Sequence, residues 1–284
     1  MEQAIPSRTA LSVALRRAAH QIYDSPVVFD DPIAVALLGA TYAEELKRTP
    51  LRPDRPFSIA LRAFLVARSR YAEDNLRIAV EGGVEQYVLL GAGLDTFAYR
   101  NPFAAQSLRV FEVDHPATQA WKRDLLESAS IAIPADTAFV AVDFEGQTLA
   151  DQLRQAGFRP DEPAFFSWLG VVPYLTDPAF HGTVSFVATM PPETGVVFDY
   201  AVGPASLTPG ERAALGALAR RVSAAGEPFQ LFFQPDDLPQ RLARAGFRHI
   251  EDLGRDQINA RYFAAREDGM CVRGNHGHLL CARV

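Results

Sequence analysis

Tyr87-Val88-Leu89-Leu90-Gly91-Ala92-Gly93-Leu94-Asp95-Thr96 joins an unbroken apolar run to a Gly-Ala-Gly turn. Apolar residues without alternation suit a strand covered by helices on both faces, as in a parallel sheet. At Gly91 and Gly93 the missing side chains let the backbone pass close to a ligand. A dinucleotide fingerprint would place a third glycine at position 96. Here Thr96 follows Asp95, so a pyrophosphate would face a carboxylate. The turn therefore suits a ligand with a cationic amino-acid end better than a nicotinamide dinucleotide. A tight strand–helix turn that binds nothing would have the same Gly-x-Gly, so more is needed.

Short apolar runs continue downstream at Leu108–Val113, Ala138–Val142, Ala164–Leu169, Gly195–Tyr200, Arg248–Leu253 and His278–Arg283. Helical patterns fall between most of them, at His115–Ala129, Thr148–Ala156, Pro178–Met190, Pro209–Ala224 and Asp237–Ala245. That alternation predicts an α/β fold, a seven-stranded, mostly parallel Rossmann-like sheet with helices on both faces. Only the short segment Gly254 to Gly277, which reads as irregular, separates the last two strands, so the final strand is expected to be antiparallel. Upstream the chain reads as helical. Thr9–Ile22 has apolar residues at helical spacing, Asp31-Pro32 supplies an N-cap and first turn, and a further helix runs to about Val80 before Gly82-Gly83. Residues 1–82 are read as a helical cap and 83–284 as the α/β core of a single domain, with 201–235 as a lid insertion.

Acidic residues close the next two strands. Asp114 ends Val110-Phe111-Glu112-Val113-Asp114, where a carboxylate can accept both hydroxyls of a ribose, or else cap the helix opening at Pro116. Val142-Asp143-Phe144 pairs a carboxylate with an aromatic ring, a combination that fits an adenine amine and the face of its base. Open α/β sheets bind ligands along this carboxyl edge.

The 284 residues are 48% hydrophobic and 22% charged, which excludes a disordered or fibrous chain. A net charge of −6 argues against a nucleic-acid partner. The richest apolar stretch, Ala164 to Leu175, is broken by Ser167, Gly170 and Pro173 and is too short for a membrane span. Two cysteines, Cys271 and Cys281, make no disulfide framework, and a cytoplasmic location is expected. His276, His278 and Cys281 superficially suggest a metal site, but strand alternation turns Cys281 away from the histidines, and no metal is expected. No Gly-x-Ser-x-Gly offers a hydrolase nucleophile.

Together these blocks resemble the leucine carboxyl methyltransferase family, in its bacterial S-adenosylmethionine-dependent O-methyltransferase branch. The resemblance runs from Thr9-Ala10 through Phe29-Asp30-Asp31-Pro32 and Ala67-Arg68-Ser69-Arg70. It continues through Leu90 to Thr96, Phe111 to Pro116, Val142-Asp143-Phe144 and Gly170 to Leu175. It implies S-adenosylmethionine as cofactor, S-adenosylhomocysteine as product, and a small-molecule methyl acceptor. Arg68 would clamp the cofactor's carboxylate, Gly91, Ala92, Gly93 and Asp95 would form the methionyl-side turn, Asp114 would hold the ribose, and Asp143 with Phe144 the adenine. The family often has Trp-Glu-Gly-Val where this chain has Trp168-Leu169-Gly170-Val171, so one expected carboxylate is missing.

Candidates for acid–base or positioning work are Tyr23, Tyr174, Asp199 and Tyr200. The aromatic run Phe229-Gln230-Leu231-Phe232-Phe233 reads as core, or with Tyr23 as the wall of an acceptor pocket formed by Phe229, Phe232 and Phe233. Two other functions remain compatible with the sequence alone: an NAD(P)-dependent oxidoreductase on the same fold, and a non-catalytic S-adenosylmethionine-binding protein.

Overall fold

The computed structural model describes residues 8–48, 56–142, 148–224 and 226–284. Its strands are β1 (Gln86–Leu90), β2 (Arg109–Asp114), β3 (Thr137–Ala141), β4 (Phe165–Trp168), β5 (Gly195–Ala201), β6 (His249–Leu253) and β7 (Gly277–Arg283). The helices are α1 (Arg8–Tyr23), α2 (Ala34–Arg48), α3 (Pro56–Glu81), α4 (Pro116–Ser128), α5 (Leu149–Gln155), α6 (Asp177–Ala188), α7 (Pro209–Ala224), α8 (Leu238–Ala245) and α9 (Arg255–Tyr262). The strands form one sheet in the order β3-β2-β1-β4-β5-β7-β6. From β3 to β5 all pairings are parallel, and β7 runs antiparallel to both β5 and β6. The α/β fold expected from the glycine turn and its neighbours is therefore the fold observed, reversed final strand included.

Side chains alternate between two apolar layers, as strand geometry demands. Val88, Leu90, Phe111, Phe166 and Phe198 face one layer, with Phe180 of α6 and Leu242 of α8. Tyr87, Leu89, Val110, Phe165 and Val197 face the other, with Val66, Tyr71 and Leu76 of α3. The helical first part of the chain is therefore not all cap, because α3 covers a sheet face. A third cluster joins α1 and α2 to Leu94 and Leu126 beside the glycine turn. Gly83, at φ +94°, ends α3 by donating to Val80 O, while Val84 donates to Ala79 O.

Two local expectations are corrected. The second helix begins at Ala34, and Asp31 does not cap it with its side chain. The Asp31 carboxylate is fully buried, accepts from Thr96 Oγ1 at 2.7 Å, and lies 3.4 Å from Arg100 Nε and 3.7 Å from Arg17 Nε. A cluster of guanidiniums claims it, which a reading of local capping chemistry could not foresee. The segment from Gly254 to Gly277 is also not irregular throughout, since it contains α9. That helix has only Ile258 buried, so it lacks the apolar stripe that marks a helix in sequence.

Candidate active site

The glycine turn, the carboxyl ends of β1, β4 and β5, and α1, α3 and α7 enclose a cavity of about 1180 Å³. Arg68, Gly91, Ala92, Gly93, Asp95 and Asp114 all line it. The structure thus brings together six of the eight residues expected to hold the cofactor. Asp143 and Phe144 lie outside the described residues.

Five of the six are held in place by a physical constraint visible in the structure. Gly91 and Gly93 have φ of +68° and +50°, left-handed values that disfavour a side chain. A β-carbon at Gly91 would also overlap Val171 Cγ2, and one at Gly93 would press on Ala10 of α1 at 3.3 Å. Changing Gly91 to Ala combines strain with overpacking and is expected to cost about 2–4 kcal/mol. Urea denaturation of the variant checks this, and a midpoint equal to that of the unsubstituted chain would contradict it.

Asp114 Oδ2 accepts from Gly93 N at 2.6 Å and Oδ1 from His115 N at 2.7 Å, so this carboxylate ties the turn to the end of β2. Burial pushes its pKa above the usual carboxylate range, while the two amides pull the other way. It does not cap α4. The His115 ring takes that position, accepting from Ala117 N.

Asp95 accepts from Phe97 N at 2.8 Å and pairs with Arg17 Nη1 at 3.2 Å. Burial opposes its ionisation, yet the charge of Arg17, with Lys122 and Arg100 behind it, holds its pKa below the usual value. Arg68 projects from α3 to the ends of β4 and β5. Its Nη1 donates to Asp199 Oδ2 at 3.0 Å, and Asp199 Oδ1 accepts from Gly170 N at 2.5 Å. Arg68 Nε is buried with no partner among the described residues, although the residue lines the cavity. A guanidinium on a cavity wall fits an anionic ligand group such as an amino-acid carboxylate.

The tyrosine and phenylalanine candidates separate. Tyr174 lines the cavity beside Phe229, ring centroids 5.2 Å apart, and burial pushes its pKa up to about 12. Tyr200 also borders the cavity, but its hydroxyl donates to Asp252 Oδ2 at 2.6 Å, 3.1 Å from His278 Nδ1. Burial raises the Tyr200 pKa well beyond the usual phenol value, so it is no base at neutral pH. Tyr23 is a correction: it packs with α1 and α2 in the third apolar cluster and does not line the cavity. Phe232 and Phe233 are also corrections. Phe233 is buried against Phe180 and Tyr200 and bridges Val202, and Phe232 packs on Phe229 from outside the cavity lining. Leu169, where the family often has Glu, lines the cavity as an apolar residue.

Sequence reading missed Arg16, Phe64, Leu218 and His276, all of which line the cavity. The apolar spacing Leu215, Leu218, Val222 on α7 was the available signal for that wall. His276 had no such signal. It precedes β7 and does not share a metal cluster with His278, which is 3.0 Å from Asp252 Oδ1. Burial lowers the His276 pKa, leaving a neutral imidazole at pH 7. Among the described residues no group of three or more His, Cys, Asp or Glu is arranged to hold a metal ion.

A glycine turn, an acidic β2 end and a guanidinium line one cavity on this sheet order, an arrangement that fits S-adenosylmethionine. The leucine carboxyl methyltransferase family profile matches residues 10–188. A candidate S-adenosyl-L-methionine-dependent methyltransferase of Bacillus subtilis (strain 168), YktD, is 34% identical, with 93% of each chain covered. A relative of the same description from Mycobacterium marinum (strain ATCC BAA-535 / M) is 31% identical over 76% of this chain and 72% of its own. A solved methyltransferase candidate of Thermobifida fusca YX shares the fold, with a TM-score of 0.57 at 17% identity, covering 95% of this chain and 93% of that one. The chain belongs to the leucine carboxyl methyltransferase family.

Proposed function

We propose that the enzyme moves the methyl group of S-adenosylmethionine to an oxygen of a small molecule with an apolar body. The observation that carries this reading is the continuity of the cavity. The same cavity is lined by the polar Arg68, glycine turn and Asp114 and by the apolar Phe64, Leu218, Val222 and Phe229. The cofactor supplies a methyl group on a sulfonium, already activated for displacement. The protein's part is alignment and exclusion of water. Arg68 and Asp114 fix the methionyl and ribose ends, and α1 with α7 closes over the edge of the sheet.

Residues 201–235, which include α7, act as a lid in this reading. Thr9 Oγ1 of α1 donates to Glu227 Oε2 just beyond α7, a contact that must open for ligand exchange. A carboxylate acceptor needs no base, and an acidic phenol ionises readily, so either suits a site whose phenols stay protonated. A hydroxyl acceptor would find its base in the neutral imidazole of His276. We place the enzyme in the cytoplasm, where the free thiols Cys271 and Cys281 would stay reduced. No described helix is long and apolar enough to cross a membrane.

The test is transfer of a labelled methyl from S-adenosylmethionine to a panel of aryl and alkyl carboxylic acids, phenols and alcohols. Labelled esters or ethers are the expected products. Tight cofactor binding without turnover on any acceptor would favour a non-catalytic role and sink the reading. In the same protein, Asp114→Ala is expected to weaken S-adenosylhomocysteine by about 1–3 kcal/mol, roughly 5- to 150-fold, because a buried hydrogen-bond acceptor is lost. Calorimetry measures it, and unchanged affinity would move the ribose elsewhere.

A further inference from the structure

Two histidines line the cavity, and the sheet order holds them apart. His115 follows β2, and its Nδ1 accepts from Ala117 N, so in the neutral ring Nε2 carries the proton and can only donate. His276 precedes β7, four strands across the sheet from β2, roughly 19 Å at about 4.8 Å per strand. The end of β3, which leads to Asp143, is one strand further away. Strand register also sets the height of His276 above the sheet. Leu279 of β7 pairs with Asp199, the partner of Arg68. His276 comes three residues earlier on a chain that stays extended, because Val202 N donates to its carbonyl. That places it about 10 Å beyond the Arg68–Asp199 pair, at 3.3 Å per residue. Its neighbours fix it there. Gly277 packs on Phe64 of α3, where a β-carbon would fall 2.9 Å from Cζ, and Asn275 N donates to Glu211 of α7 at 2.8 Å.

The two ring nitrogens of His276 differ. Nδ1 is shut from solvent, and a β-carbon on Gly274 would fall 2.9 Å from it and 3.7 Å from Glu211 Cγ. Nε2 is left as the nitrogen that reaches the cavity. The Glu211 charge lies on the Nδ1 side, so it favours the tautomer protonated there and would steady an imidazolium once one formed. The other basic groups of the described wall are occupied. Asp95 and Asp199 pair with arginines, Asp114 holds two amides, and Glu211 and Glu227 accept from Thr208 and Thr9. Tyr174 and Tyr200 keep their protons. We propose that His276 is a catalytic residue, the general base for a weakly acidic hydroxyl, a phenol or an enol, and that this hydroxyl, not a carboxylate, is the methyl acceptor. The O–H bond breaks and its electron pair stays on the oxygen that is methylated. The proton becomes the N–H of an imidazolium and passes to water when the product leaves. A carboxylate, already ionised at neutral pH, would leave Nε2 nothing to remove. This assignment rests on the methyl-transfer reading and narrows its acceptor.

The experiment compares 1-naphthol, 4-nitro-1-naphthol and 1-naphthoate as acceptors of a labelled methyl on the full-length protein at pH 7.5. The first keeps its proton at that pH, and the other two are anions. The expected result is a kcat/KM for 1-naphthol at least roughly tenfold above that for 1-naphthoate, within the range a general base contributes. His276→Gln is expected to lower transfer to 1-naphthol about 100-fold, and transfer to the nitronaphthol less than about tenfold. His276→Ala should show the same contrast, and imidazole in the medium should restore part of the loss, which a packing defect would not show. The alanine variant also covers a glutamine variant that melts early by circular dichroism. A preference for 1-naphthoate overturns the proposal and leaves methyl transfer standing, as does an equal loss on both naphthols in the two variants. A binding measurement separates the two readings. In protein labelled with ¹⁵N-histidine and saturated with S-adenosylhomocysteine, the Nε2 signal that His276→Gln removes is expected to shift on adding 1-naphthol. No shift overturns the proposal. A shift with no labelled methyl on any acceptor sinks the methyl-transfer reading and leaves His276 as the partner of a bound hydroxyl.

Discussion

Arg68→Met is expected to abolish cofactor binding at accessible concentrations and to lower stability by about 3–5 kcal/mol, the cost of leaving one member of a buried ion pair without its partner. Both side chains are 8% exposed, and the Arg68 Nη1–Asp199 Oδ2 distance is 3.0 Å. Asp199 would keep its bond from Gly170 N but lose its counter-charge. Arg68→Lys separates the two roles. An ammonium can still neutralise Asp199, so most of the stability should return. It cannot present a planar fork to both Asp199 and a ligand carboxylate, so cofactor affinity should stay at least tenfold below that of the unsubstituted protein. Urea midpoints and calorimetry with S-adenosylhomocysteine measure the two quantities on the same samples. If the lysine variant binds cofactor normally, the clamp is not Arg68.

Lys122→Met should cost a similar 3–5 kcal/mol, for a reason deeper in the fold. Lys122 Nζ donates to Glu112 Oε2 at 2.7 Å, and each side chain is 1% exposed. Burial already pushes the Glu112 carboxyl above its ordinary range despite that partner. Loss of the ammonium can only push it further. A carboxyl whose pKa is raised on folding binds its proton more tightly in the folded chain, so its contribution to stability falls as pH rises above the ordinary carboxylate value. The deficit of Lys122→Met relative to the unsubstituted protein is therefore expected to be larger at pH 8 than at pH 5. Equal deficits by urea denaturation at the two pH values would mean that losing the ammonium does not raise the Glu112 pKa. Because Glu112 and Asp114 share a strand and a face, this variant should also loosen the bond from Gly93 to Asp114.

What could be read in advance divides along a physical line. The strands were legible because burial on both faces leaves continuous apolar runs, and β1 was bounded to the residue by the glycine that follows it. The polar end of the site was legible for a related reason. A backbone that must pass close to a ligand tolerates little but glycine, and the carboxylate of Asp114 falls at the end of the next strand. The helix α9 and the true role of Asp31 were not legible. One helix lacks an apolar stripe, and the Asp31 carboxylate answers to Arg17, Arg100 and Thr96, residues distant in sequence.

The sequence by itself determined the sheet, the glycine turn and the acidic end of β2, because each is a local matter of periodicity or backbone conformation. Only the tertiary structure decided which aromatic residues face the cavity. Phe229 lines it, whereas Tyr23, Phe232 and Phe233 are drawn into apolar clusters by helices and strands that a local pattern does not name. The same holds for charge. Arg16 and Arg17 are neighbours of identical chemistry on one helix, yet the packing of α1 aims Arg17 at Asp95, while Arg16, which also lines the cavity, donates back to Ser12 of its own helix. Adjacent helical positions point about 100° apart, and what each then meets is set by the elements packed around the helix.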